Sequence, residues 1–316
     1  MQKITILTHS DCDGISAGSI ALSRFPQAKV FFTKPVSLLN DLEETSSEKI
    51  IICDIALNKR DANNILREMK NKNEIYYFDH HPLPEGVTSK KVSSVVTEYV
   101  HEENISSSEL IYRRFQNEIP KERIWNAIYG AIGDYTDNTP FVQERLLNWD
   151  KISLYFQVST LMMGIKTDSF GSYDAKRRIV RTMASGGNPT DISGLVKSAR
   201  EAVNKEFELY EMVKRIARKS GKVGYVKEIH GFGFRGSSAL FAATTTNSPV
   251  GICVDIRRDK IDITIRTRDY KYQLNKIAEK AAEKVNGSGG GLPAAAGARI
   301  PKGKLDIFIK EMNALM

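Results

Sequence analysis

The stretch Ile4-Thr5-Ile6-Leu7-Thr8-His9-Ser10-Asp11-Cys12-Asp13-Gly14 decides how this chain is read. Its first five residues, apolar or β-branched, form a short strand; the polar cluster stops it, and helical spacing follows from Ile15 to about Phe25. The unit recurs. Val30-Phe31-Phe32 is a second strand, and Lys49-Ile50-Ile51-Ile52-Cys53 a third that ends at Asp54. Helical spacing covers residues 59–71, and Glu74-Ile75-Tyr76-Tyr77-Phe78 is a fourth strand ending at Asp79. Short continuous apolar strands alternating with helices predict an α/β fold with a doubly wound, mainly parallel sheet.

In open sheets of this kind ligands bind beyond the carboxyl ends of the strands. Asp11, Asp13, Asp54 and Asp79 all fall there. A single Asp after a strand is ordinarily a helix cap or a turn residue. Four of them, with histidines close by, are hard to explain as caps. His9, Asp11 and Asp13 alternate, and alternate side chains of extended backbone project the same way, so the three converge. Gly14 lets the chain turn sharply into the helix. Carboxylates with imidazoles suit Mn²⁺, Mg²⁺ or Fe²⁺, and the lack of thiolate ligands speaks against structural zinc. His80 and His81 are adjacent and point differently, one toward metal and the other toward substrate. The run Gly130-Ala131-Ile132-Gly133-Asp134-Tyr135-Thr136-Asp137 ends a helical stretch in acids, with Asp134 the further ligand and Asp137 in reserve.

From about residue 106 to 183 the pattern is mainly helical, with helices over 121–133, 143–158 and 173–183. The breaker cluster Ala184-Ser185-Gly186-Gly187-Asn188-Pro189 marks a domain boundary. The expected organisation is a first domain over 1–185, a linker over 186–220 carrying a charged helix at 192–219, and a smaller α/β domain over 221–316. That second domain has strands at 222–229, 251–257 and 260–268, helices at 237–246, 273–285 and 302–315, and a glycine-rich turn.

A chain of 316 residues accommodates two domains. Its net charge of +8 is only weak support for a polyanionic partner, since attraction to phosphates needs clustered cations. Cys12, Cys53 and Cys253 form no C-x-x-C spacing, which suggests neither a disulfide framework nor a zinc ribbon. No secretory h-region and no apolar run of about 18 residues occurs, so the expectation is a cytoplasmic protein with no membrane partner.

The set His9-x-Asp11-x-Asp13-Gly14, Asp54, Asp79-His80-His81 and Asp134 resembles the four motifs of the DHH phosphoesterase superfamily, in order, over about the first 180 residues. That superfamily includes RecJ-like exonucleases, nanoRNA and cyclic-dinucleotide phosphodiesterases, family II pyrophosphatases and exopolyphosphatases. The tight first motif is closer to the RecJ-like spacing. The resemblance implies two Mn²⁺ ions per chain, with Mg²⁺ the alternative: His9, Asp11 and Asp54 on one, and Asp13, Asp54, His80 and Asp134 on the other. His81 would contact the scissile phosphate and Asp79 would orient an imidazole. Two such cations lower the pKa of a shared water and stabilise charge on phosphoryl oxygens.

The C-terminal segment resembles the DHH-associated domain, whose signatures are an S-x-R-S strand and a GGGH-x-x-AAG loop. Thr264-Ile265-Arg266-Thr267 fits the first with Thr for Ser, and Gly289-Gly290-Gly291-Leu292 fits the second with Leu292 where the family has His. Arg266 would clamp a substrate phosphate, beside Arg268 and backbone N–H groups of Gly289, Gly290 and Gly291. The active site would lie in the cleft between the domains. Arg257, Arg258 and Lys271 add charge, Arg177, Arg178 and Arg181 form a second basic cluster, and Phe232/Phe234 and Tyr270/Tyr272 serve the core before they serve base stacking.

The leading expectation is a single-strand exonuclease acting on DNA or RNA. A phosphodiesterase for nanoRNA, pAp-like nucleotides or cyclic dinucleotides is the alternative, and a catalytically reduced replication or repair partner protein the second alternative. A homo-oligomer is compatible with each.

Overall fold

The apolar runs assemble into two sheets. In the computed structural model, which describes residues 3–227, 234–267, 269 and 271–316, the first sheet contains β1 (Ile4–Thr8), β2 (Lys29–Phe32), β3 (Lys49–Cys53), β4 (Glu74–Asp79) and β5 (Glu98–His101). Its order is β2-β1-β3-β4-β5 and every pairing is parallel. Side chains alternate across it. Ile51, Cys53 and Phe78 enter one core with Ile15, Ile111, Ile128 and Ile179 of the helices on that side. Ile50, Ile52, Ile75 and Tyr77 enter another with Leu38, Leu42, Ile65 and Met69. Helices on both faces make the sheet doubly wound, as the alternating pattern predicts. Strand order reverses direction between β1 and β3, and a crevice opens beyond their carboxyl ends at such a reversal. Asp11 and Asp13 follow β1, and Asp54 follows β3.

Other elements differ from expectation. β5 has no counterpart among the expected strands, because Glu98-Tyr99-Val100-His101 is half-buried throughout and has no continuous apolar run. The single helix expected over 143–158 is two, Pro140–Leu147 and Lys151–Gly164. Asp150 separates them by capping the second, its Oδ1 accepting the Ile152 N–H at 3.0 Å.

The chain divides into Met1–Ala202 and Val203–Met316, a division that falls within helix Leu195–Ile216. The second unit carries β6 (Arg218–Ser220), β7 (Val223–Lys227), β8 (Val250–Ile256), β9 (Lys260–Thr267), β10 (Ser288–Gly291) and β11 (Ala295–Pro301), in the order β10-β11-β9-β8-β7-β6. Within this second sheet, β7–β8 is the one parallel pairing among the described residues. The glycine run expected as a turn is the edge strand β10. Its partner β11, largely Ala and Gly at its start, lacks the β-branched composition that marks a strand in sequence. No helix among the described residues is long and apolar enough to cross a membrane.

Two glycines let the helices behind the crevice approach closely. A Cβ on Gly133 would overlap Cys12 Sγ, and one on Gly130 would overlap Ser108 Oγ and lie 2.5 Å from Asp13 Oδ1. Gly130→Ala is therefore expected to destabilise the fold by about 1–3 kcal/mol through overpacking. Calorimetric melting of the variant beside the wild type checks this, and an unchanged midpoint would contradict it.

Candidate metal centre

The turn after β1 is fixed by its own backbone. Thr8 Oγ1 donates to the Gly14 carbonyl at 2.5 Å, and a Cβ on Gly14 would overlap the His9 carbonyl. Asp11 caps helix Cys12–Arg24, its Oδ1 accepting the Gly14 N–H at 3.0 Å. Its Oδ2 meets His9 Nδ1 at 2.6 Å. The same imidazole nitrogen lies 3.8 Å from Asp54 Oδ2. Asp54 sits in the left-handed region with φ 58° and is anchored by its N–H to the Phe78 carbonyl at 2.9 Å. A non-glycine residue there costs about 1–3 kcal/mol, a strain typical of functional sites.

Asp13 is almost wholly buried and accepts from the start of another helix, Ser107–Phe115. The Ser107 N–H reaches Oδ2 at 2.7 Å and the Ser108 N–H reaches Oδ1 at 3.0 Å. Ser107 Oγ also donates to Asp54 Oδ1 at 3.3 Å. His80 Nε2 lies 3.4 Å from Asp54 Oδ1 and 3.4 Å from Asp134 Oδ2. Asp134 follows the carboxyl end of helix Ile124–Gly133, where the helix dipole disfavours an anion. Its Oδ2 is buried and has no hydrogen-bond partner among the described residues. An orphaned carboxylate oxygen facing an imidazole is what a cation site requires.

His81 Nδ1 bonds Asp79 Oδ1 at 2.9 Å and lies 4.0 Å from Asp54 Oδ1. Asp79 thus orients His81, and His101 Nε2 holds the His81 carbonyl at 2.9 Å. Among the described residues, the candidate ligand atoms form three groups, each with its atoms within 4.8 Å of one another: His9, Asp11 and Asp54; Asp13, His80 and Asp134; and Asp54, His80 and His81. Asp54 and His80 are each shared between two groups. Asp137 belongs to none of them.

Crowding shows in the proton affinities. Burial pushes Asp54 well above the usual carboxylate range, and Asp11 and Asp13 push it further. Burial likewise raises Asp13, and raises Asp134 to about 7. For His9 burial disfavours the charged form, but Asp11 and Asp54 outweigh it and lift the ring to about 9. His81 reaches about 9 in the same way, against burial and through Asp79.

The second unit holds the other residues expected to meet substrate. Arg266 on β9 pairs in register with Ala295, and the neighbouring Ala296 pairs with Gly291, so Arg266 and Gly291 share one end of three adjacent strands. The Arg266 guanidinium lies beside Gly236, and its Nη1 donates to the Ile265 carbonyl at 2.9 Å. Gly289 and Gly290 lie along β10. Arg268, Phe232 and Tyr270 lie outside the described residues. Phe234 is buried and Tyr272 packs against the core of the second unit. Arg257 pairs with Asp255, and Lys271 with Asp269. In the first unit, Arg177 pairs with Asp174, while Arg178 and Arg181 lie on the same helix.

Sequence reasoning missed Ser107, Ser108 and Lys176. The serines had a signal: Ser106-Ser107-Ser108-Glu109 has the capping-box pattern, and Ser106 does cap the helix. Lys176 is buried and donates to the Ser10 carbonyl at 2.8 Å, and nothing in Ala175-Lys176-Arg177-Arg178 separates it from its basic neighbours.

Comparison with known proteins places these observations in a family. Residues 3–132 match the model of the DHH family, N-terminal domain, and residues 238–316 match that of the DHHA1 domain. A comparison with curated proteins finds no match. Among solved structures, a DHH domain described as belonging to a family of ribosomal proteins is 16% identical with TM-score 0.74, covering 99% of this chain and 87% of that one. RecJ from Thermus thermophilus, in complex with Mn²⁺, is 15% identical with TM-score 0.67; 99% of this chain spans about half of it, 52%. The pGpG-specific phosphodiesterase PggH from Vibrio cholerae is 15% identical with TM-score 0.58, with 99% and 100% covered. At these identities the likeness is one of fold.

The raised groups fix a pH dependence. Between 6.5 and about 9 the folded chain keeps protons on His9 and His81 that the unfolded chain has released. Their stabilisation is full below 6.5 and lost as pH rises to about 9. Asp134 acts in the same sense between 3.8 and about 7, because the folded state retains a proton that the unfolded state gives up. Metal-free protein should therefore melt at progressively lower temperature from about pH 6.5 to about 9, and added Mn²⁺ should raise the midpoint more at the alkaline end. Thermal scans across that interval check it; a metal-free midpoint that climbs with pH would be the contrary result.

Proposed function

We propose that this chain, which belongs to the DHH phosphoesterase superfamily, is a divalent-metal-dependent phosphodiesterase that shortens single-stranded DNA or RNA from an end. The observation that carries the reading is the convergence of His9, Asp11, Asp13, Asp54, His80, His81 and Asp134 into overlapping ligand groups at the carboxyl edge of a parallel sheet. We assign His9, Asp11 and Asp54 to one cation and Asp13, Asp54, His80 and Asp134 to a second, with Mn²⁺ the preferred ion and Mg²⁺ the alternative. Such ions, when bound, supply an activated water and neutralise charge on the phosphoryl group.

The chain's own residues then have separable tasks. Asp54, in its left-handed conformation, turns Oδ2 toward His9 and Oδ1 toward His80 and His81. Asp13 cannot swing away, because both its oxygens are held by backbone N–H groups. Asp79 occupies His81 Nδ1 and leaves Nε2 free to donate to a phosphate oxygen. Arg266 is assigned to a substrate phosphate through its fork of donors, with Arg268 and the N–H groups of β10 assigned to the same task. The expected setting is the cytoplasm, with nucleic acid or a short oligonucleotide as partner.

A second reading, a phosphodiesterase for very short substrates, is favoured by the match to the whole length of the pGpG-specific enzyme.

Metal-free protein incubated with end-labelled strands of several lengths, with and without Mn²⁺, distinguishes the two. Mn²⁺-dependent shortening is expected, with Asp54→Ala and Asp134→Ala each reducing it by about 100-fold or more. Cleavage confined to the shortest oligonucleotides selects the second reading. No cleavage of these strands with any metal sinks the nuclease reading and turns the test to cyclic dinucleotides; if those also survive, a partner protein without phosphodiesterase chemistry is left. Gly290→Ala separates substrate binding from folding. A Cβ there meets nothing within 4 Å, whereas one on Gly289 would overlap the Ala278 carbonyl. Gly290→Ala is expected to melt as the wild type does and to raise KM; wild-type KM would remove this strand from the substrate site.

A further inference from the structure

Helix Tyr173–Ala184 buries Ala175, Ile179, Val180 and Met183, and the Tyr173 ring meets Phe32 at the end of β2 with centroids 5.5 Å apart. Lys176 lies on that buried side. It is 9% exposed, and its Nζ donates to the Ser10 carbonyl at 2.8 Å. An ammonium in such a place carries a desolvation cost that a neutral carbonyl repays only in part. Methionine would fill a similar volume without that cost, so packing does not account for the lysine.

Its partner is informative. Ser10 stands between His9 and Asp11, and the carbonyl that Lys176 grips belongs to the peptide joining Ser10 to Asp11. The direction of that carbonyl sets ψ of Ser10, which with φ of Asp11 decides where the Asp11 side chain stands relative to His9. With the carbonyl pinned, His9 Nδ1 stays 2.6 Å from Asp11 Oδ2 and 3.8 Å from Asp54 Oδ2. Arg177, the next residue, instead bonds Asp174 on its own helix.

We infer that Lys176 is a positioning residue, holding the Ser10 peptide so that His9, Asp11 and Asp54 present their ligand atoms to one cation. The inference rests on the metal-centre reading above. Charge and geometry predict opposite outcomes, which makes it testable. Removing an ammonium that interacts with Asp11 should, through the loss of Coulomb repulsion alone, tighten binding of a divalent cation. Loss of positioning should weaken it.

The experiment is calorimetric titration of Mn²⁺ into metal-free wild type, Lys176→Met and Lys176→Arg, with melting curves recorded before metal is added. Lys176→Met is expected to keep its fold and bind the tighter Mn²⁺ about 10–100-fold more weakly, the usual effect of losing a group that orients a ligand. Lys176→Arg, which keeps a donor at that reach, should recover most of the affinity. Wild-type affinity or tighter in Lys176→Met overturns the inference and leaves the metal centre standing. Wild type that binds no Mn²⁺ overturns the metal centre and this inference with it. If Lys176→Met does not fold, Lys176→Gln, whose polar end falls short of the Ser10 carbonyl, takes its place; wild-type affinity there overturns the inference equally.

Discussion

The carboxylate of Asp13 accepts the N–H groups of Ser107 and Ser108, and the rest of the site is arranged around that contact. An ionised carboxylate away from water is tolerated when its oxygens are satisfied, and two backbone donors at a helix N-terminus satisfy them at the positive end of the dipole. The contact joins segments 94 and 95 positions apart, fastening the turn after β1 to a helix that begins after β5. It also explains Gly130, which brings helix Ile124–Gly133 so close that no side chain fits. Ser107 contributes through its hydroxyl as well, so one short segment touches both Asp13 and Asp54.

Around that anchor, carboxylates are packed more densely than stability alone would allow. Asp54 occupies a backbone conformation that most residues avoid, and burial pushes its proton affinity up together with those of Asp13 and Asp134. Each feature weakens the folded state, and the crowding of the carboxylates is relieved by positive charge in the crevice. The imidazoles of His9, His80 and His81 supply part of it when protonated. A divalent cation supplies more and displaces the protons of the rings that ligate it, His9 and His80. Strain and like-charge crowding confined to one edge of an otherwise regular sheet is the physical signature of a site built to be completed by a ligand.

The sheet edge and the ligand types are legible in the sequence because each rests on a local pattern. Ile50, Ile51 and Ile52 form a run that only a strand buried on both faces explains, and the acid that follows lies at the carboxyl end by construction. The residues that position those acids are not legible, because their roles depend on contacts between segments remote in sequence. Lys176 reaches Ser10 across 166 positions. Ser107 can be read as belonging to a helix cap, but not as a neighbour of Asp54. β5 and β11 escape for a different reason: half-buried or small residues carry little periodic signal, and neighbouring strands induce their extended conformation.

The glycine run shows how one sequence feature divides into separate physical causes. Gly289 is needed because the helix Leu274–Glu283 backbone passes at Ala278, and Gly291 because its φ is 129°. Gly290 has neither constraint, although it pairs in register with Gly297 on β11. A strand at the edge of a sheet keeps one row of N–H and C=O groups without a strand partner. Removing the side chain at Gly290 frees space beside that row. Packing and conformation therefore account for two of the three glycines, and the third is the one whose absence of a side chain has no use inside the fold.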